Sequence, residues 1–221
     1  MSQFNGDMSF SAWEQFERCA LDFKLSRMDK IKNPNVPTPT FYLEGRKAHT
    51  HLEHVVRSGL PIDPAIVKKE RPFVEELVRT QAPKYVEEKW GFSNGWIAMP
   101  YGKAQLRVII DVRLDYDDEV EVVDWKTGKK RDESVDQMDL MATATFHRYP
   151  TVETVTTRLV YVTSGGQTLK DHYRRDLTAA TQRWEERFAK IYAERDWLPR
   201  PNEWCRFCDH ARSKGGSCRY G

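Results

Sequence analysis

Residues 107–130 read RVIIDVRLDYDDEVEVVDWKTGKK. The run Val108–Leu114 is rich in Val and Ile, and Val120–Trp125 alternates or is apolar throughout. Asp117-Asp118-Glu119 between them has turn composition, so the segment reads as a β-hairpin. Side chains two apart in a strand face the same way, which puts Asp124 and Lys126 on one face and Trp125 on the other. With a tight turn centred on Asp117-Asp118, Asp111 falls opposite Asp124; a longer loop would shift this register. Opposed residues have Cβ atoms about 4.5–5.5 Å apart, where like charges destabilise a sheet. A divalent cation between the two carboxylates would justify the pairing, because hard cations take oxygen ligands at about 2.0–2.6 Å. The competing reading is an exposed hairpin with solvated charges. Asp124 follows Val-Val and Asp111 follows Val-Ile-Ile, so both carboxylates stand where the chain leaves a core, which favours a site.

The bulk numbers bound the rest. The chain has 221 residues, 39% hydrophobic and 31% charged, enough for one large domain or two small ones with a real core. A net charge of +2 neither predicts nor excludes nucleic acid, so any DNA-binding surface must be local. There is no run of 18 apolar residues, and MSQFNGDMSF lacks the basic and apolar regions of a signal peptide. A cytoplasmic location is expected, where four cysteines point to metal or cluster binding over disulfides.

Along the chain, residues 9–30 read as a helix. Ser11 and Glu14 suit a capping box, and Trp13, Phe16, Ala20 and Phe23 form the buried stripe with Cys19 beside it. KNPNVPTPT at 32–40 breaks it, and a second helix runs over 41–57 to Gly59. A Pro-rich loop at 61–72 precedes a helix over 73–82. Residues 84–100 read as one or two strands with a turn at Asn94-Gly95. After the hairpin come a helix over 134–146, with Leu140, Met141 and Ala144 inward, and a strand over 154–163 buried on both faces. A further strand is expected over 168–176 and a helix over 178–196. The pattern is α/β, a central mixed sheet flanked by helices. Lys129, Lys130 and Arg131 form a basic loop that suits a phosphate backbone, or else a solvated turn. The tail holds Cys205-x-x-Cys208 and Cys218, a knuckle that gathers a metal or cluster; Cys19 is the only other cysteine, and His210 is an alternative ligand.

These residues carry a family resemblance. "IID…VVDWKTGK" resembles the second and third motifs of the PD-(D/E)XK nuclease superfamily, RecB-type branch. Gly45-x-x-x-His49-x-x-Leu52-Glu53 is similar to its G-x-x-x-H-x-x-L-E motif. Gly45 and His49 share a helix face, so glycine permits close approach to the sheet while His49 points at it; His51 and His54 lie off that face and are expected to be solvated. Ser9-x-Ser11…Phe16-x-x-Cys19-Ala20-x-x-Phe23 resembles the N-terminal signature, with Ala20 where the family usually has Pro. Gln137 matches the family's Q-x-x-x-Y, but Met141 stands where the Tyr would be; Ser134-x-x-Gln137 is also a capping box.

The resemblance implies a single restriction-endonuclease-like domain over 1–221, with a core at 41–197 and a cysteine-rich tail at 198–221 tied to the N-terminal helix. It implies a metal-dependent DNA exonuclease acting on single-stranded or end-frayed DNA. Mg²⁺ or Mn²⁺ would be held by His49, Asp111, Asp124 and the carbonyl of Trp125, with Lys126 and Gln137 completing the catalytic set. Cys19, Cys205, Cys208 and Cys218 would hold a 4Fe-4S cluster, for which tetrahedral Zn²⁺ is the alternative. The family's last cysteine gap is usually shorter than the one before Cys218. A CRISPR-adaptation nuclease trimming DNA in a complex, a recombination nuclease with a protein partner, and a catalytically silent DNA-binding subunit are the other readings. None of them involves a membrane.

Overall fold

The computed structural model describes residues 3–130 and 134–221. The chain forms two compact units, one of residues 39–182 and one that joins the N-terminal segment up to Thr38 with residues 183–221. Among the described residues, no helix is long and apolar enough to cross a membrane.

The first unit is built on a six-stranded mixed sheet, with β1 (Lys84–Phe92), β2 (Ala98–Met99), β3 (Leu106–Tyr116), β4 (Glu119–Lys126), β5 (Thr154–Tyr161) and β6 (Gln167–Tyr173) in the order β2-β1-β3-β4-β5-β6. Neighbours are antiparallel except β4 and β5. That parallel pair is linked by α5 (Ser134–Arg148), the helical crossover such a pair needs. The hairpin has the expected tight turn: Tyr116 pairs with Glu119 and Val112 with Val123, so the next step brings Asp111 opposite Asp124. Two helices, α3 (Thr40–Ser58) and α4 (Arg71–Arg79), cover one face. Leu52, Val55, Val56, Val74 and Leu77 pack there with Val112, Leu114, Val123, Trp125 and Val160. α5 packs on β3, β5 and β6 and buries Leu140, Met141 and Ala144, as its pattern requires. Gly59 ends α3 at φ +66, a left-handed cap that glycine adopts without a Cβ clash.

The second unit joins α1 (Phe10–Arg18), α2 (Ala20–Phe23), a π-helical turn at Lys24–Met28, the last part of α6 (Leu177–Ala193) and the tail. Its core is aromatic. Phe23 stacks on Trp197 with centroids 5.8 Å apart, and Trp13 meets Trp184 edge-on at 5.3 Å. Asn33 donates to the carbonyls of Asp209 (2.7 Å) and Lys214 (3.0 Å), tying the N-terminal segment to the tail.

Three local expectations are corrected. The 9–30 helix is not continuous: Cys19 interrupts it with an extended backbone, φ −164 and ψ 113. The N-cap of α1 is Ser9 rather than Ser11; the Ser9 hydroxyl accepts from the Ala12 N–H at 3.2 Å. His54 is exposed as expected, but Nε2 of His51 accepts the Asp63 N–H at 3.0 Å and so anchors the loop after α3.

Gly91 gives a test of the sheet edge. A Cβ on this buried glycine would come 2.7 Å from Cβ of Ala104, 2.8 Å from the Met99 carbonyl oxygen and 2.9 Å from Cα of Tyr101. Two of these neighbours are backbone and cannot swing away. Gly91→Ala is therefore expected to destabilise the fold by about 1–3 kcal/mol, the usual cost of overpacking. An unchanged melting temperature would show that β2 does not close on β1 in this way.

Candidate metal centre

The site lies where β3 and β4 leave the core beside α3. Asp111 and Asp124 are both only 6% exposed. Oδ2 of Asp111 accepts the Trp125 N–H at 2.8 Å, crossing to the neighbouring strand, and lies 3.2 Å from Nδ1 of His49. Trp125 turns its ring to the opposite face, where it is buried against Phe73. Lys126 shares the Asp124 face, with Nζ 2.7 Å from Oδ2. Oδ2 of Asp124 is buried, and this ion pair is its contact among the described residues. Gln137 of α5 clamps the pair: its Nε2 donates to Oδ1 of Asp124 (2.7 Å) and its Oε1 accepts from Nζ of Lys126 (2.6 Å). Its side chain is thus committed to the site rather than to capping α5. Gly45 lies against Thr127, but a Cβ there would make ordinary 3.4 Å contact, so the approach does not demand glycine.

The sheet holds one more acidic group, which the sequence reading missed. Glu87 lies directly across from Asp111 on β1, between the pairs Val86–Val112 and Glu88–Ile110. Its φ is +55, in the left-handed region, inside a β-strand. For a residue with a Cβ this conformation costs about 1–3 kcal/mol and persists only where the surroundings impose it. His49, Glu87 and Asp111 each present one ligand atom, and the three atoms lie within 4.8 Å of one another. Glu87, Asp111 and Asp124 therefore form a row of carboxylates across β1, β3 and β4.

The protonation pattern follows from that row. Burial pushes the Asp124 carboxyl up and Lys126 opposes it, while Asp111 adds repulsion. Burial likewise raises Glu87, with Asp111 adding to it. For Lys126 burial works against the charge, but Asp124 overcomes it and holds the ammonium above its ordinary value. Burial also opposes charge on His49, yet the hydrogen bond and charge of Asp111 push it up to about 9. With no ion bound, His49 and Lys126 are the cations that offset the row. A divalent cation fits the same place. Three acids abreast and an imidazole form a donor set of nitrogen and oxygen suited to Mg²⁺ or Mn²⁺.

Lys129 and Lys130 are exposed beyond the end of β4, which suits a backbone-binding loop and a solvated turn alike; Arg131 lies outside the described residues. The four cysteines are reduced and half-buried. The Arg200 N–H approaches Sγ of Cys19 at 3.5 Å and the Asn202 N–H approaches Sγ of Cys205 at 3.4 Å. Burial pushes the Cys208 thiol up to about 11, with Asp22, Cys19 and Cys218 adding negative charge nearby. Cys218 is brought back by its N–H donating to the His210 carbonyl at 2.9 Å. The His210 ring is buried, its Nε2 2.9 Å from the Ser26 hydroxyl and 3.8 Å from Asp22, whose Oδ1 also takes the Cys208 thiol at 3.7 Å.

The His49 shift has a sign that can be measured. Its pKa of about 9 in the fold lies above the ordinary 6.5, so the stabilisation is full below pH 6.5 and is lost as pH rises through about 9. His49 is one-third exposed, which screens the effect to on the order of 1 kcal/mol. Denaturation of the EDTA-treated protein between pH 6 and 9.5 is expected to show His49→Gln losing this slope relative to wild type. Parallel curves for the two proteins would remove the His49–Asp111 pair.

Comparison with known proteins supplies the family. The sequence matches the model of the PD-(D/E)XK nuclease superfamily over residues 7–213. No curated protein gives a significant match. Among solved structures, SSO0001 is similar with a TM-score of 0.50 and 13% identity, over 99% of this chain and 89% of that one. A Eubacterium rectale protein described as a "Putative exonuclease" has a TM-score of 0.55 and 12% identity, over 92% and 87%. Likeness at such identity speaks for the fold alone, and the fold is the restriction-endonuclease-like sheet flanked by helices. With that architecture and a family match over nearly its whole length, the chain belongs to the PD-(D/E)XK nuclease superfamily.

Proposed function

We propose that this nuclease is a metal-dependent DNA exonuclease that hydrolyses phosphodiester bonds in single-stranded or end-frayed DNA. The observation that carries the reading is the closed constellation at the hairpin end. Asp124, Lys126 and Gln137 are joined by two hydrogen bonds and an ion pair, beside Asp111 and His49. His49, Asp111, Asp124 and the Trp125 carbonyl would hold one or two Mg²⁺ or Mn²⁺ ions. Bound there, such an ion lowers the pKa of water and offsets charge at the phosphate. Lys126 places an ammonium on the Asp124 face, where it orients the nucleophile or a phosphate oxygen. Gln137 holds that ammonium in position. Lys129 and Lys130 offer charge to the backbone of the departing strand.

The alternative of a catalytically silent DNA-binding subunit has one observation in its favour: Met141, in place of the family's Tyr, is buried in the core. The intact Asp124–Lys126–Gln137 clamp weighs against it. A role in recombination or in CRISPR adaptation changes the protein partner and leaves the chemistry unchanged.

For the tail, we infer that Cys19, Cys205, Cys208 and Cys218 hold a 4Fe-4S cluster, with Zn²⁺ as the alternative. Backbone N–H groups aimed at two of the sulfurs support bound thiolates, since hydrogen bonds to ligand sulfurs tune such sites. His210 and Cys208 share Asp22 as a neighbour, so His210 stays the alternative ligand.

End-labelled linear and circular single-stranded DNA, incubated with Mn²⁺ or with EDTA, tests the activity: linear substrate should be degraded only with metal, and circular substrate spared. Asp124→Ala and Lys126→Ala should each lower the rate at least about a hundredfold, equivalent to about 3 kcal/mol of transition-state stabilisation, without unfolding. Wild-type rates in either variant would sink the assignment. Separately, Cys208→Ala should lose the bound metal and destabilise the fold by several kcal/mol, because a link from Cys19 to the tail closes nearly the whole chain. Absorbance near 400 nm in an anaerobic preparation would indicate the cluster, and stoichiometric zinc the alternative. Full stability and metal content in Cys208→Ala would exclude both.

A further inference from the structure

The first two turns of α3 reach past the core that the rest of the helix covers. Its buried residues are Ala48, Leu52, Val55 and Val56, so packing begins only at the third turn. Before it, Phe41 is 73% exposed and Tyr42 55%. A single exposed apolar side chain needs no explanation, but two adjacent rings on a rigid helix form a patch. Seven residues make nearly two turns, so Phe41 stands in the row of Ala48 and Tyr42 in the row of His49, each about 10 Å along the axis from its counterpart. The patch is therefore continuous with the metal centre. Gly45 lies between the rings and His49, adds no side chain to the path, and sits beside Thr127 at the end of the catalytic strand. The charge on these turns suits a polyanion. Arg46, four residues on from Tyr42 and on its side of the helix, is exposed, as is Lys47. Glu44, the acid of these turns, points away, about 160° around the axis from Tyr42. Lys129 and Lys130, exposed just after Thr127, add cations on the sheet side of the same path.

We propose that Phe41 and Tyr42 form a stacking platform for unpaired bases of the DNA strand that enters the metal centre, with Arg46 on the adjoining phosphates. The proposal rests on the nuclease reading and names what makes the site prefer single strands. Rings interleaved with cations are the means by which proteins hold single-stranded nucleic acid: each base offers a π-face, and the cations follow the backbone. In a duplex the faces of each base are covered by its neighbours in the stack, so a platform of rings takes only the unpaired end. Phe41 and Tyr42 are positioning residues. They stand two turns from His49 and hold the strand without touching the reacting phosphate.

The test titrates the full chain, in EDTA to stop cleavage, into fluorescein-labelled oligothymidylate and follows anisotropy. Phe41→Ala and Tyr42→Ala are each expected to weaken binding about tenfold, within the range for losing one stacked base. Both rings are in solvent, so the melting temperature should not change. Phe41→Tyr and Tyr42→Phe keep a ring and should bind as wild type, whereas Phe41→Leu is apolar without a ring face and should bind as weakly as Phe41→Ala. An oligomer of abasic sugars keeps the phosphates and removes the bases; wild type and the double alanine variant should bind it equally weakly. With Mn²⁺ the alanine variants should raise KM for linear single strands and leave kcat unchanged. Wild-type affinity in both alanine variants, or an abasic oligomer bound by wild type as tightly as the intact one, overturns the proposal; cleavage by wild type in the same samples leaves the nuclease reading standing. A wild-type dimer in sedimentation that the alanine variants dissociate, with DNA binding unchanged, also overturns it and gives the patch to a second copy of the chain. A wild type that neither binds nor cleaves DNA overturns the platform and the nuclease reading together.

Discussion

The structure depends on one buried carboxylate. Asp111 sits at the step where the β3–β4 ladder ends, and its Oδ2 accepts the Trp125 N–H from the neighbouring strand while pairing with His49 from α3. A buried charge is tolerated only when its oxygens are satisfied and a countercharge is near. Both conditions are met by groups from other elements, so this contact ties the two central strands to the helix that covers them. It also fixes which face of β4 is functional. With the Trp125 N–H turned to Asp111 and its ring packed on Phe73, Asp124 and Lys126 face Gln137 on α5.

The same carboxylate explains the charges around it. Acids directly opposite one another repel, and Asp111 has one on each side. Without an ion, His49 is held protonated at one end and Lys126 at the other, so the row is bracketed by cations. Binding a metal through His49 requires that the proton leave, so metal affinity should rise with pH across the range in which the apo fold loses this stabilisation. The two effects are one equilibrium seen from either side. Stability in the metal-free state comes from stand-in cations, and the site is better served when they are displaced.

Much of this was legible because the deciding segment is short and its turn is tight. Two residues, Asp117 and Asp118, set the hairpin register, and with it the Asp111–Asp124 pairing. The inward residues of α5 and the stop at Gly59 follow from periodicity and from the glycine cap. Glu87 was not legible. It lies in KYVEEKW, which looks like a solvated strand edge, and its position opposite Asp111 depends on how residues 93–105 fold back, where no periodic signal exists. Gln137 fitted two patterns at once, and only the placement of α5 over Lys126 separates a cap from a clamp. The break at Cys19 was hidden for a different reason. The family's proline after this cysteine would push the residue before it toward an extended backbone. Ala20 carries no such signal, yet Cys19 adopts that conformation. The extension therefore comes from what holds Cys19: the Arg200 N–H at its sulfur, and the Asn202 side chain donating to the Arg18 carbonyl at 2.9 Å.

Gln137 shows how finely the remaining part is specified. An amide has one donor end and one acceptor end, and here each meets the partner it needs, with Nε2 on the carboxylate of Asp124 and Oε1 on the ammonium of Lys126. A glutamate at 137 would bring a fourth carboxylate to a site already crowded with three. A lysine there would repel Lys126. A shorter asparagine could not span from α5 to both groups. The clamp thus needs an uncharged side chain of this length with opposite polarity at its two heavy atoms, and among the twenty residues only glutamine provides it. What it secures is the angle of Lys126. An ammonium on a four-carbon stem has many rotamers, and one partner alone would leave it free to swing. Here it is held between two oxygens, Oε1 of Gln137 at 2.6 Å and Oδ2 of Asp124 at 2.7 Å, which fixes its position.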